Sequence, residues 1–272
     1  KNGNFIMNND QIKEILLSIE ETDIDFTVTM SGKESKKVNG LYKPDNHEII
    51  LHNLNFKSDN QLIYTAIHEY THHLVTVEQE KMSKGLCPKN SRCHTNEFWA
   101  KFHSLLEVAE KKGLYVIGLE DAPELAQLTD EIKKNYLEQN GKLMIEFGKL
   151  LAKAHQLCQD ANIRYEDYID RVLQLPRSAA KTITKISVSN IDPKIGFENM
   201  KIVAAATPAK RAEVQQNIEE GKSPDTVRSL MKKKAKEIDE KTRLEKEKSR
   251  LEKTISQLTT RLELIEESLA SL

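Results

Sequence analysis

Strand-forming runs occupy only the first part of this chain. "DFTVTM" (25–30) and "HEIILHN" (47–53) are rich in β-branched residues, and 38–42 offers a further short strand. Past "EDAPELAQLTD" (120–130) the strand signal does not return. A chain divided in this way is expected to be α+β, a small sheet with helices followed by helices alone. The expected domains are 1–120, 126–225 and a final helix over 227–272.

The helical segments have their own punctuation. Residues 10–20 read as a short amphipathic helix. "SDNQ" (58–61) is a capping box that starts the next one, with Ile63, Ile67, Tyr70 and Leu74 as its buried stripe. Residues 79–93 read as a loop. Thr95 then caps a helix that stops at Gly113. Later breaks are expected at Asn140-Gly141, Pro176, Pro193, Pro208 and Pro224.

The first long helix carries "HEYTHH". His68 and His72 are four residues apart, so they share one helix face about a turn apart and can bind one metal ion together. Glu69 sits beside them, where a carboxylate can take a proton from water. His-Glu-x-x-His on a helix is the zincin signature, which needs a third protein ligand. "RCHTNEFW" offers two, His94 and Glu97. His94 lies at the mouth of a helix anchored by Phe98, Trp99 and Phe102; Glu97 would complete a set of two histidines and one glutamate.

"HEYTHH" followed by "HTNEFW" resembles the SprT-like zinc metallopeptidases over residues 20–115. The resemblance implies a small α+β zincin fold, Zn²⁺ held by His68, His72 and His94, and Glu69 as general base. It also implies a protein substrate, in some relatives a DNA-bound one. His73 points about 100° away from His72, towards the packed side. His103 reads as a surface or core residue, and His47 and His52 are given no role. Cys87 and Cys93 would make half a metal site with no second pair, so they read as loop cysteines; Cys158 reads as a small core residue.

Net charge is −1, but it is unevenly spread. Residues 1–125 hold 14 Lys+Arg against 19 Asp+Glu, while 126–240 hold 20 against 17, so a polyanion should prefer the middle of the chain. There "NIRYEDYIDRVLQLPRSAAKTITKIS" (162–187) has helix-turn-helix grammar: a helix over 165–173, a tight turn, and a second helix opened by Pro176. Ala179, Ile183 and Ile186 form its expected inner face. Arg177, Lys181, Thr184 and Lys185 form the outer one, suited to phosphates and base edges of DNA. This stretch resembles segments of ParB-like and mobile-element proteins.

From 227 onward there is neither Gly nor Pro. Leu244, Leu251, Ile255, Leu258, Leu262, Ile265, Leu269 and Leu272 form a heptad seam, interrupted by Lys248, that should pair two chains. Three sparse cysteines, no membrane-length apolar run and no apolar stretch in "KNGNFIMNND" lead to the expectation of a cytoplasmic protein that binds no membrane. The leading expectation is a zinc metallopeptidase held on DNA. A structural site needs no base, so Glu69 favours it over a DNA-binding regulator with a silent metal domain. The basic face favours either over a coiled-coil scaffold.

Overall fold

Asn8 begins the first helix: its side chain accepts the Gln11 N–H, and the Gln11 side chain returns to the Asn8 N–H, each at 2.8 Å. Helix α1 (Asn9–Ile19) buries Ile12 and Leu16 against the sheet. A computed structural model describes residues 7–83, 93–232 and 240–270 of the chain. Cys87 and Leu272 fall outside them.

Three short strands follow, β1 (Thr27–Met30), β2 (Gly40–Lys43) and β3 (Glu48–Leu51). Their order is β1-β3-β2, with β1 parallel and β2 antiparallel to β3. Val28, Ile49 and Leu51 point into the core, which the alternation of "EIIL" requires. Helix α2 (Asp59–Ser83) crosses the sheet, with Ile63, Ile67, Tyr70 and Leu74 all buried. At its start the Ser58 hydroxyl accepts the Gln61 N–H, while the Gln61 side chain returns to Lys57 rather than Ser58. The helix runs on to Ser83, through the first residues of the loop expected over 79–93, and 84–92 lie outside the described residues. Gln, Glu, Lys and Met at 79–82 are good helix formers. Helix α3 (Asn96–Lys111) closes the first core with Phe98, Phe102, Leu105 and Ala109.

The expected boundary at 120–130 is itself helical. Helix α4 (Pro123–Ile132) passes through a π-helical stretch, Lys133–Glu138, into α5 (Gln139–Asp160). Asn140-Gly141 is therefore no break. A side chain at Gly141 would meet the Pro193 carbonyl oxygen at 2.5 Å, so the glycine serves close packing rather than a turn. Helix α6 (Tyr165–Asp167) continues as a π turn, Tyr168–Val172, and leads to α7 (Arg177–Ser187). Helices α8 (Phe197–Ala205), α9 (Arg211–Glu219) and α10 (Pro224–Met231) complete the helical half.

Gly148 lets α7 lie close on α5. A Cβ there would stand 2.5 Å from the Ile183 carbonyl oxygen and 2.6 Å from the Ser187 Cβ. Alanine normally gains about 1 kcal/mol over glycine inside a helix. Here overpacking against backbone, costing about 1–3 kcal/mol, outweighs that gain. Gly148→Ala is expected to lower the unfolding free energy by roughly 1 kcal/mol in urea titration. A gain in stability would show that α5 and α7 separate freely.

The chain divides into Lys1–Met231 and Lys232–Leu272. Within the first unit α10 packs on α3 as well as on α8 and α9. In the second, helix α11 (Glu240–Ala270) exposes Leu244, Leu251, Ile255, Leu258, Leu262, Ile265 and Leu269. No helix among the described residues is long and apolar enough to cross a membrane.

Candidate metal centre

Helix α2 brings His68 and His72 to one face, as their spacing requires. His94 arrives from the bend before α3, where the Thr95 hydroxyl accepts the Phe98 N–H and fixes the helix start. The His94 Nε2 atom lies 3.1 Å from the Nε2 of His68 and 3.1 Å from that of His72. Imidazoles sharing one tetrahedral ion at about 2.0–2.1 Å would have nitrogens roughly 3.3 Å apart. Three ring nitrogens this close together suit a shared cation, and the donor set fits a divalent metal.

The aromatic residues of α3 hold the rings. Trp99 stacks on His94 with centroids 5.5 Å apart, Phe98 lies 4.4 Å from His72, and Phe102 meets His68 edge-on at 5.3 Å. Burial, and then the neighbouring His94, lower the His68 pKa to about 4. Burial, followed by His68 and His94, lowers that of His72 to about 3. Both rings are neutral at pH 7, as metal ligation requires.

Glu69 is buried against β2. Burial raises its pKa to about 7, and the nearby Tyr42 backbone N–H offsets part of that rise. Gly40 makes this approach possible: a Cβ at that position would come within 2.8 Å of the Glu69 Cγ and 2.9 Å of the Thr65 Cγ2. The sequence reading missed Gly40. The "NG" dipeptide at 39–40 was its only trace.

No protein-family model, curated protein or solved structure matches this chain. The functional reading therefore rests on the site's own geometry.

Glu97 is exposed and lines a different hollow, with Glu78, Lys101 and Thr226, away from the three histidines. His73 is fully buried. Its Nε2 lies 3.1 Å from the Ile24 carbonyl and 3.2 Å from the Thr22 hydroxyl, and its Nδ1 lies 3.1 Å from the Tyr42 hydroxyl. His47, given no role from sequence, meets the same hydroxyl at 2.9 Å. His73 thus ties α2 to β2 beside the site. His52 contacts the Ser31 hydroxyl, and His103 is half-buried on α3. Cys158 is buried and Cys93 exposed.

On α7 the inner face is Ala180, Ile183 and Ile186, with Ala179 only half-buried. The packing on α5 rotates the helix slightly from the expected stripe. Lys181 and Lys185 are exposed, and Thr184 is half-buried. Arg177 is ion-paired with Asp170, whose carboxyl it holds below the usual carboxylate range.

Proposed function

We propose that this chain is a zinc-dependent peptidase of SprT-like character, with His68, His72 and His94 as ligands and Glu69 as general base. The convergence of the three Nε2 atoms next to a buried carboxyl carries the reading. A purely structural zinc is normally closed by four protein ligands, whereas only three candidate ligands converge here among the described residues. Zinc bound there supplies a Lewis acid that acidifies water and polarises a carbonyl. Glu69 takes the proton of the attacking water and returns it to the leaving amine. Its packing against Gly40 limits the orientations it must search. The test is zinc analysis of the purified chain together with cleavage of an unfolded protein, with and without DNA. Zinc-loaded protein that cleaves nothing under either condition would leave the regulator reading.

A second component of the proposal is DNA association through α7, supported by exposed Lys181 and Lys185 one turn apart. Arg177 contributes less because Asp170 offsets its charge. Binding should weaken with salt at a slope of about −0.9 per phosphate contact, so Lys181→Ala with Lys185→Ala should reduce the slope by roughly two. If one lysine reads a base, the slope falls by less and sequence preference relaxes. A double variant that binds as the parent does removes α7 from the interface.

The exposed seam of α11 supports a homodimer. Removing residues 244–272 is expected to give a monomer by sedimentation with zinc content unchanged. A full-length chain that is already monomeric at micromolar concentration rules the dimer out.

A further inference from the structure

One helical turn before the histidines, the same face of α2 borders a cleft of about 310 Å³. Gln61, Tyr64 and Thr65 line it from α2, Asn39 and Asn55 from the segments around β2 and β3, and Tyr115 from beyond α3. Thr65 lies four residues before Glu69, and Gln61 seven before His68. At 1.5 Å per residue along a helix these offsets are about 6 Å and 10 Å. An extended peptide advances about 3.3 Å per residue, so a carbonyl at the histidines places a side chain two or three residues away in the cleft.

The lining is already organised. Both amide atoms of Asn60 are bonded to the Val116 backbone. The Asn55 amide donates to Ser35 and to the Asn39 oxygen, at 2.7 Å and 2.9 Å. That leaves the Asn39 NH₂ with no acceptor among the described residues. The Gln61 oxygen is held by the Lys57 N–H at 2.8 Å, and the Gln61 NH₂ likewise has no acceptor among them. Thr65 spends its proton on the Gln61 carbonyl at 3.1 Å, so its oxygen offers only lone pairs to the cleft. The Tyr64 and Tyr115 rings, with centroids 6.0 Å apart, form an apolar wall.

We propose that this cleft is a specificity subsite for a substrate side chain ending in a carboxamide, glutamine foremost, two or three residues from the scissile bond; it rests on the peptidase reading. A carboxamide oxygen meets the two NH₂ donors, its own NH₂ meets the Thr65 oxygen, and a methylene stem lies along the tyrosine rings. No Lys, Arg, Asp or Glu among the described residues lines the cleft, so a charged side chain would lose water without a counter-charge. Asn39 and Gln61 are exposed, so an apolar side chain would displace water from their donors without replacing its hydrogen bonds.

The test is mass-spectrometric cleavage profiling of a proteome-derived peptide mixture by the zinc-loaded full chain and by Gln61→Glu. That variant keeps the oxygen that accepts from Lys57 but replaces the donor with a carboxylate. Wild type should enrich Gln, and Asn less, at one position two or three residues from the cut. Gln61→Glu should replace that preference with Lys or Arg and leave other positions unchanged. In the Glu69→Gln background, equilibrium binding of the best peptide should weaken about tenfold when its Gln becomes Leu. Cleavage without a carboxamide preference, or the same preference in Gln61→Glu, overturns the subsite alone. No cleavage by zinc-loaded wild type overturns the peptidase reading, and the subsite with it.

Discussion

Glu69→Gln is expected to keep zinc and lose peptide hydrolysis by roughly 10²–10⁴-fold, the usual contribution of a positioned general base. The substitution is nearly isosteric. The buried niche beneath Gly40 keeps its shape. A neutral amide also suits this buried position better than a carboxylate, since burial already disfavours the charged form. Folding and metal content should therefore be preserved, and the loss should fall on kcat rather than KM. Turnover within twofold of wild type would remove Glu69 from the mechanism. Loss of zinc as well would make the residue structural.

The second large effect is on metal content. Wild type should bind one zinc per chain, and alanine at His68, His72 or His94 should abolish stoichiometric binding at micromolar zinc, because the remaining pair is an incomplete cage. Glu97→Ala should bind as wild type does, since Glu97 stands apart from the three histidines. The reverse pattern, zinc kept by His94→Ala and lost by Glu97→Ala, would make Glu97 the third ligand. Zinc bound only to the folded state also stabilises it. At a free concentration of 100 times Kd the gain is about 2.7 kcal/mol, visible as a higher Tm that a chelator reverses. The ligand variants should show no such shift.

Much of the first half was legible because its signals are local. The spacing of His68 and His72 fixes a shared face on any α-helix, and Thr95 before an apolar run marks a helix start. The two β-branched runs marked β1 and β3 to within a few residues, and the further strand offered at 38–42 is β2. Most misses came where a distant partner decides the outcome. Asn140-Gly141 has turn chemistry, yet Pro193, more than fifty residues on, needs the space that Gly141 leaves. One miss was local: helix-forming side chains carry α2 through 79–83, where a loop was expected. Ala180 rather than Ala179 faces inward because the contact of α7 with α5, through Gly148, sets the rotation of the helix.

The sequence by itself determined that a small sheet precedes a run of helices, that two histidines and a glutamate share one helix, and that the last segment bears a heptad seam. Each is a matter of periodicity, which backbone geometry converts directly into a face. Only the tertiary structure decided that His94 reaches the other two histidines and Glu97 does not, that Gly40 makes room for Glu69 against β2, and that α10 joins the helical half to α3. These depend on contacts between residues far apart in the chain. Their distances are set by how the elements pack together, a quantity that no local pattern of residues encodes.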